Sequence, residues 1–172
     1  TDIETDFTAE EIVMTGRTPY QGRFEGISIG DKEAVYRAFS LTKADKLKDK
    51  KFAILSGGEK QKIVIARAVA QTTPWMLLDE PIASLDIKNQ IEIMQTLSEL
   101  NRQEGVSVLM VLHDINLAGI YCDRLIMLKD GQVIAAGNTN ECLCEENLKK
   151  LYDISFFHMD TKKGQRYYYA EI

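Results

Sequence analysis

Ile87, Ile91, Met94, Leu97 and Leu100 recur at steps of three and four residues, with mainly charged and polar residues between them. That period puts the apolar residues on one stripe of an amphipathic helix. Short apolar runs flank it, Trp75 to Leu78 on one side and Val106 to Leu112 on the other, the second broken by one serine. Runs of that length predict strands covered on both faces. Strand, helix and strand in that order over 75–112 predict an α/β core with a parallel sheet.

Polar punctuation divides the rest. Thr8-Ala9-Glu10-Glu11 and Ser56-Gly57-Gly58-Glu59 each set a hydroxyl three residues before a glutamate. This capping-box spacing predicts a short helix after Thr8 and a helix from Ser56 to about Gln71. Gly16, Pro19, Gly22, Gly26 and Gly30 predict a loop-rich stretch over 16–30. Asp31 is read as the cap of a helix with Val35, Ala38, Phe39 and Leu41 on its apolar face, and Thr42-Lys43-Ala44-Asp45 as a further helix start. Downstream, Asp114 caps a short helix through Ala118. Arg124 to Leu128 and Gln132 to Ala136 form a hairpin around Lys129-Asp130-Gly131. A helix near 140–152 follows, then a last hairpin over 154–171 turning at Lys163-Gly164.

Composition adds exclusions. With 45% hydrophobic and 27% charged residues, the 172-residue chain has an ordinary globular make-up. No apolar run approaches the roughly 18 residues of a membrane-spanning helix. A net charge of -5 argues against nucleic acid as the main partner. Cys122, Cys142 and Cys144 give no disulfide framework, and one residue between the last two is poor spacing for zinc. Reduced thiols are the expectation.

The candidate chemistry lies in the middle of the chain. Ser56, Gly57 and Gly58 stand at a predicted helix N-terminus, where unpaired amides and the helix dipole favour an anion. A plain helix cap explains these residues taken alone; the following Glu59-Lys60-Gln61 and the Ile65-Ala66-Arg67-Ala68 run favour a site. Asp79 and Glu80 follow the first apolar strand. An acid at that strand end can hold Mg2+ through water, and its neighbour can orient or deprotonate a water. An exposed acidic turn before Pro81 fits these two residues equally well. Asp86 is placed to cap the next helix. His113 ends the second apolar run, where a structural role or a contact to a transferred phosphate is open to it.

In order, Leu55-Ser56-Gly57-Gly58-Glu59, Leu78-Asp79-Glu80-Pro81, Ser84-Leu85-Asp86 and Leu112-His113-Asp114 resemble the signature, Walker B, D-loop and switch-histidine motifs of ABC transporter ATP-binding subunits. Glu11 to Tyr20, and Leu85-Asp86-Ile87 with Gln90, resemble the importers of iron-siderophore complexes, haem and cobalamin. Ile82 and Asn89 depart from the pattern, where threonine and histidine are usual. The resemblance implies a P-loop NTPase (RecA-like) parallel core with an ABC helical lobe, its first core strand and P-loop lying outside the matched region. On this basis 1–71 is the helical lobe with the signature helix, and 72–172 a partial nucleotide-hydrolase core with C-terminal hairpins.

The same resemblance implies roles. Glu80 and His113 are catalytic. Ser56, Gly57, Gly58, Glu59 and Asp86 contact nucleotide, and Asp79 serves the metal. ATP and Mg2+ are the cofactors. The partners are a transmembrane permease subunit and a second ATP-binding subunit in a head-to-tail dimer, on the inner face of the cell membrane. No Gly-x-x-x-x-Gly-Lys-Ser/Thr run occurs in the 172 residues. The chain is therefore expected to correspond to the C-terminal two-thirds of such a subunit and not to turn over ATP by itself. A non-catalytic regulatory module is the alternative. A chromosome-maintenance ATPase lobe fits less well, because 1–52 carries loops in place of coiled-coil heptads.

Overall fold

The computed structural model describes residues 6–22, 26–162 and 164–171. It divides into two compact units, Thr1–Val111 and Leu112–Ile172, so residue 71 falls inside the first.

The first unit opens with α1 (Ala9–Met14), a 3-10 turn (Thr15–Tyr20) and α2 (Ile29–Leu41). Thr8 caps α1 with the predicted capping box to Glu11. The cap of α2 is Ser28, not Asp31. Asp31 is the third helical residue, and its carboxylate accepts from the Ser28 backbone amide at 3.0 Å. Thr42 does not start a helix. It is buried at the end of α2, where its hydroxyl donates back to the Ala38 carbonyl at 2.9 Å. A short 3-10 turn over Asp45–Leu47 follows.

Ser56 caps α3 (Gly57–Ala70) as predicted. Its inward residues Ile63, Ala66 and Ala70 join Ala9, Val13, Val35, Ala38 and Phe39 in one buried core. At the far end of α3 the 15–20 turn acts as a clamp. Arg17 donates to the Ala70 carbonyl at 2.8 Å and to the Asp31 carboxylate at 2.9 Å, and its guanidinium lies 4.0 Å from the Tyr20 ring. The Tyr20 hydroxyl donates to the Gln71 carbonyl at 2.6 Å. A basic group on the last carbonyls also complements the helix dipole.

β1 (Trp75–Leu78), α4 (Ile87–Glu104) and β2 (Ser107–Met110) complete this unit, and β1 pairs with β2 in parallel, Trp75 opposite Ser107 and Leu78 opposite Met110. The parallel strand-helix-strand expectation holds, but the two-faced burial does not. Met76 is buried, whereas Trp75 and Leu77 on the alternate face are 60% and 74% exposed, and Leu109 of β2 is 53% exposed. Successive side chains of a strand point to opposite faces, so Met76 lies on the buried side of this pair and Trp75, Leu77 and Leu109 on the exposed one. The buried stripe of α4 is Ile93, Met94, Leu97 and Leu100; Ile87 and Ile91 lie outside it, on exposed surface.

The second unit contains α5 (Ile115–Tyr121), β3 (Arg124–Lys129), β4 (Gln132–Asn138), α6 (Thr139–Cys142), α7 (Glu145–Tyr152), β5 (Phe156–Asp160) and β6 (Arg166–Ala170). Asp114 caps α5, which runs three residues beyond Ala118. The β3–β4 hairpin turns through Asp130 and Gly131, both with positive φ, as the sequence signals. The helix read over 140–152 is two helices. Leu143 breaks them and is buried with Met127, Cys142, Leu148 and Tyr168. β5 and β6 form the last antiparallel pair. Of its turn, Gly164 is described and Lys163 lies outside the described residues, as do residues 23–25 of the 16–30 loop.

Candidate functional site

The capping box that opens α3 is closed on itself. The Ser56 hydroxyl accepts from the Glu59 amide at 3.3 Å, and the Glu59 carboxylate accepts from the Ser56 amide at 2.9 Å. Lys50 approaches the other Glu59 oxygen at 3.4 Å. Bonding to Ser56, first from its backbone and then from its hydroxyl, holds the Glu59 carboxyl below the usual carboxylate range, with a smaller contribution from Lys50. Glu59 therefore stays anionic and occupied with the cap. The exposed groups at this end are Ser56 and Gly57, while Gly58 is buried.

A second cap stands beside the first. Asp86 caps α4, accepting from the Asn89 backbone amide at 2.9 Å and from its side-chain amide at 2.8 Å. These two bonds, the backbone one foremost, lower the Asp86 pKa. Gln90 donates to the Ile82 carbonyl at 3.2 Å and fixes the loop ahead of Asp86. The two helix starts meet. A Cβ placed on Gly57 would lie 3.8 Å from Leu85 Cδ2. Lys62 donates to Glu92 at 2.7 Å further along the same two helices. The pairs advance together, so α3 and α4 run side by side in the same sense, their N-terminal ends adjacent.

Asp79 and Glu80 follow the last residue of β1 and are exposed. Glu80 has φ 45°, a left-handed conformation uncommon outside glycine, asparagine and aspartate. The turn behind it is anchored by buried Pro81 and Ile82 and by the Ala83 amide donating to the Glu80 carbonyl at 3.3 Å. Two carboxylates at one strand end suit Mg2+, which takes one or two protein carboxylates and completes its shell with water and phosphate. Among the described residues no three His, Cys, Asp or Glu side chains gather as a metal cluster. His113 belongs to the second unit, exposed at the bend before α5.

The structure thus brings Ser56, Gly57, Gly58, Glu59 and Asp86 into one neighbourhood and sets Asp79 and Glu80 at the tip of β1. Asn89 and Lys62 join the two helices; the sequence alone does not single out Lys62 and marks Asn89 only as a departure from the family pattern. Its position three residues after a capping aspartate was the available signal.

A family model described as ABC transporter matches residues 3–83. The ferric enterobactin transport ATP-binding protein FepC of Escherichia coli (strain K12) is 40% identical over 155 residues, which cover 90% of this chain and 57% of that protein. The petrobactin import ATP-binding protein FpuC of Bacillus anthracis is 39% identical over 153 residues, 89% of this chain and 56% of that protein. The chain thus spans little more than half the length of these curated relatives. Among solved structures, an inward-facing metal-chelate type ABC transporter superposes with a TM-score of 0.91 at 26% identity, covering 96% of this chain and 68% of that one. A dimeric bacterial ABC transporter cassette superposes with a TM-score of 0.63 at 33% identity, covering 77% of this chain and 57% of that one.

Proposed function

The chain belongs to the ABC transporter family, and from that premise we propose that it supplies the signature side of an importer's ATP-hydrolysing subunit, with an iron-siderophore complex or related chelate as cargo. Its fold is that of the ABC ATPases, within the P-loop NTPase class. The observation that carries the proposal is the seating of the Ser56-Gly57-Gly58 helix start beside the Asp86 cap, in a chain whose next strand end is Asp79-Glu80.

In this reading Ser56 and the first amides of α3 meet the γ-phosphate of a nucleotide held by a second subunit, in a head-to-tail pair. Asp79 serves Mg2+, which when bound neutralises charge on the phosphate oxygens. Glu80 orients and deprotonates the attacking water, and His113 contacts the transferred phosphate. The 172 residues contain no Gly-Lys-Ser/Thr loop, so the lysine and amides that cradle the β- and γ-phosphates come from outside them. A transmembrane permease is the second partner. No described helix is long and apolar enough to cross a membrane itself, which suits a peripheral subunit on the inner face.

The test is uptake of iron-loaded siderophore by proteoliposomes containing the intact subunit and its permease. Uptake is expected only with Mg-ATP on the subunit's side. Equal uptake without nucleotide removes the reading, and ATP-driven uptake of an unrelated solute in place of the chelate removes the cargo assignment.

A further inference from the structure

We infer that Asn89 is a positioning residue whose side-chain amide sets the spacing between Gly58 and Asp86, and so holds the α3 helix start in register for phosphate. The inference rests on the function proposed above and deepens it.

Both ends of the amide are used. Its nitrogen donates to the Asp86 carboxylate at 2.8 Å. Its oxygen and Cγ occupy the space that a Cβ on Gly58 would need, well under 3.0 Å away. Only the second of the two glycines is confined in this way, since Gly57 meets nothing closer than 3.8 Å. Gly58 is buried and Asn89 half-buried, so the contact lies inside the seam between the helices. One turn on, the Lys62–Glu92 pair continues that seam.

The chemistry selects asparagine. Aspartate would set a second carboxylate against Asp86, and alanine would remove the amide and leave the two caps free to slide. Gly58 then has a reason to be glycine that is separate from close approach of a ligand: a methyl group there displaces Asn89. Because the signature side meets a nucleotide already held elsewhere, a loss of register should appear in kcat more than in KM.

The experiment measures Mg-ATP turnover by the intact subunit assembled with its permease, for wild type, Asn89→Ala, Gly58→Ala and the double variant, with thermal unfolding in parallel. Asn89→Ala is expected to lower kcat roughly tenfold with KM for ATP changed by less than about twofold. Gly58→Ala is expected to lower kcat roughly a hundredfold, and adding Asn89→Ala to recover about tenfold of that loss. Wild-type kcat in Asn89→Ala, or a double variant no better than Gly58→Ala, overturns the inference alone. A folded wild-type assembly without turnover overturns it together with the reading beneath it.

Discussion

Glu80→Gln in the intact subunit is expected to reduce Mg-ATP turnover by roughly 100- to 10,000-fold, the usual contribution of a general base, while nucleotide still binds. Glutamine keeps the length and shape of the side chain but cannot take a proton. Glu80 is held in a left-handed conformation, φ 45°. Such a residue costs on the order of 1–3 kcal/mol and persists where its surroundings enforce it. Here buried Pro81 and Ile82 hold the turn, and with it the direction in which the Glu80 side chain leaves the backbone. The substitution changes neither the turn nor the packing behind it, so the variant should fold as the wild type does. Phosphate release and equilibrium binding of labelled ATP, measured side by side, check both halves. Turnover within about threefold of wild type would remove Glu80 from the chemistry.

Gly16→Ala is expected to destabilise the subunit by about 1–3 kcal/mol, the range for overpacking, without touching the residues proposed to meet nucleotide. A Cβ at this position would sit well under 3.0 Å from the Arg67 carbonyl oxygen of α3, a backbone atom that cannot swing aside as a side chain can. The 15–20 turn would have to lift from the helix. Lifting it loosens the Arg17 contacts to Ala70 and Asp31 and the Tyr20 contact to Gln71 together. The Asp31 carboxyl is kept below its usual range by the Ser28 hydroxyl first and by Arg17 second, so part of that stabilisation would go as well. Urea unfolding of wild type and Gly16→Ala gives the difference, and coincident curves would show that the turn accommodates the methyl group.

Local features were the legible part of this chain. The caps at Thr8, Ser56, Asp86 and Asp114 could be read because each depends on residues within four positions of itself. The Asp130-Gly131 hairpin could be read for the same reason. Errors began where tertiary packing chooses between equal local options. Ser28 and Asp31 both suit a cap; Ser28 takes it, and Asp31 completes its capping box while also pairing with Arg17. Thr42 looked like a helix start but is a buried threonine whose hydroxyl closes the helix before it. Along α4 the helical period was right and the stripe was shifted, since Ile93 faces inward and Ile87 does not. The acidic strand end and the glycine pair were visible as motifs. The contact of Asn89 with Gly58 was not, because it joins positions 31 residues apart through the packing of two helices.

These residues are proposed to form one side of an ATP site that is completed from elsewhere. Mg-ATP hydrolysis measured on the 172-residue chain and on the intact subunit, with the chain's fold checked by circular dichroism, tests it most directly. Turnover is expected from the intact subunit and none above background from the folded chain. Steady turnover by the chain alone would contradict it, because its own residues would then have to cradle the phosphates.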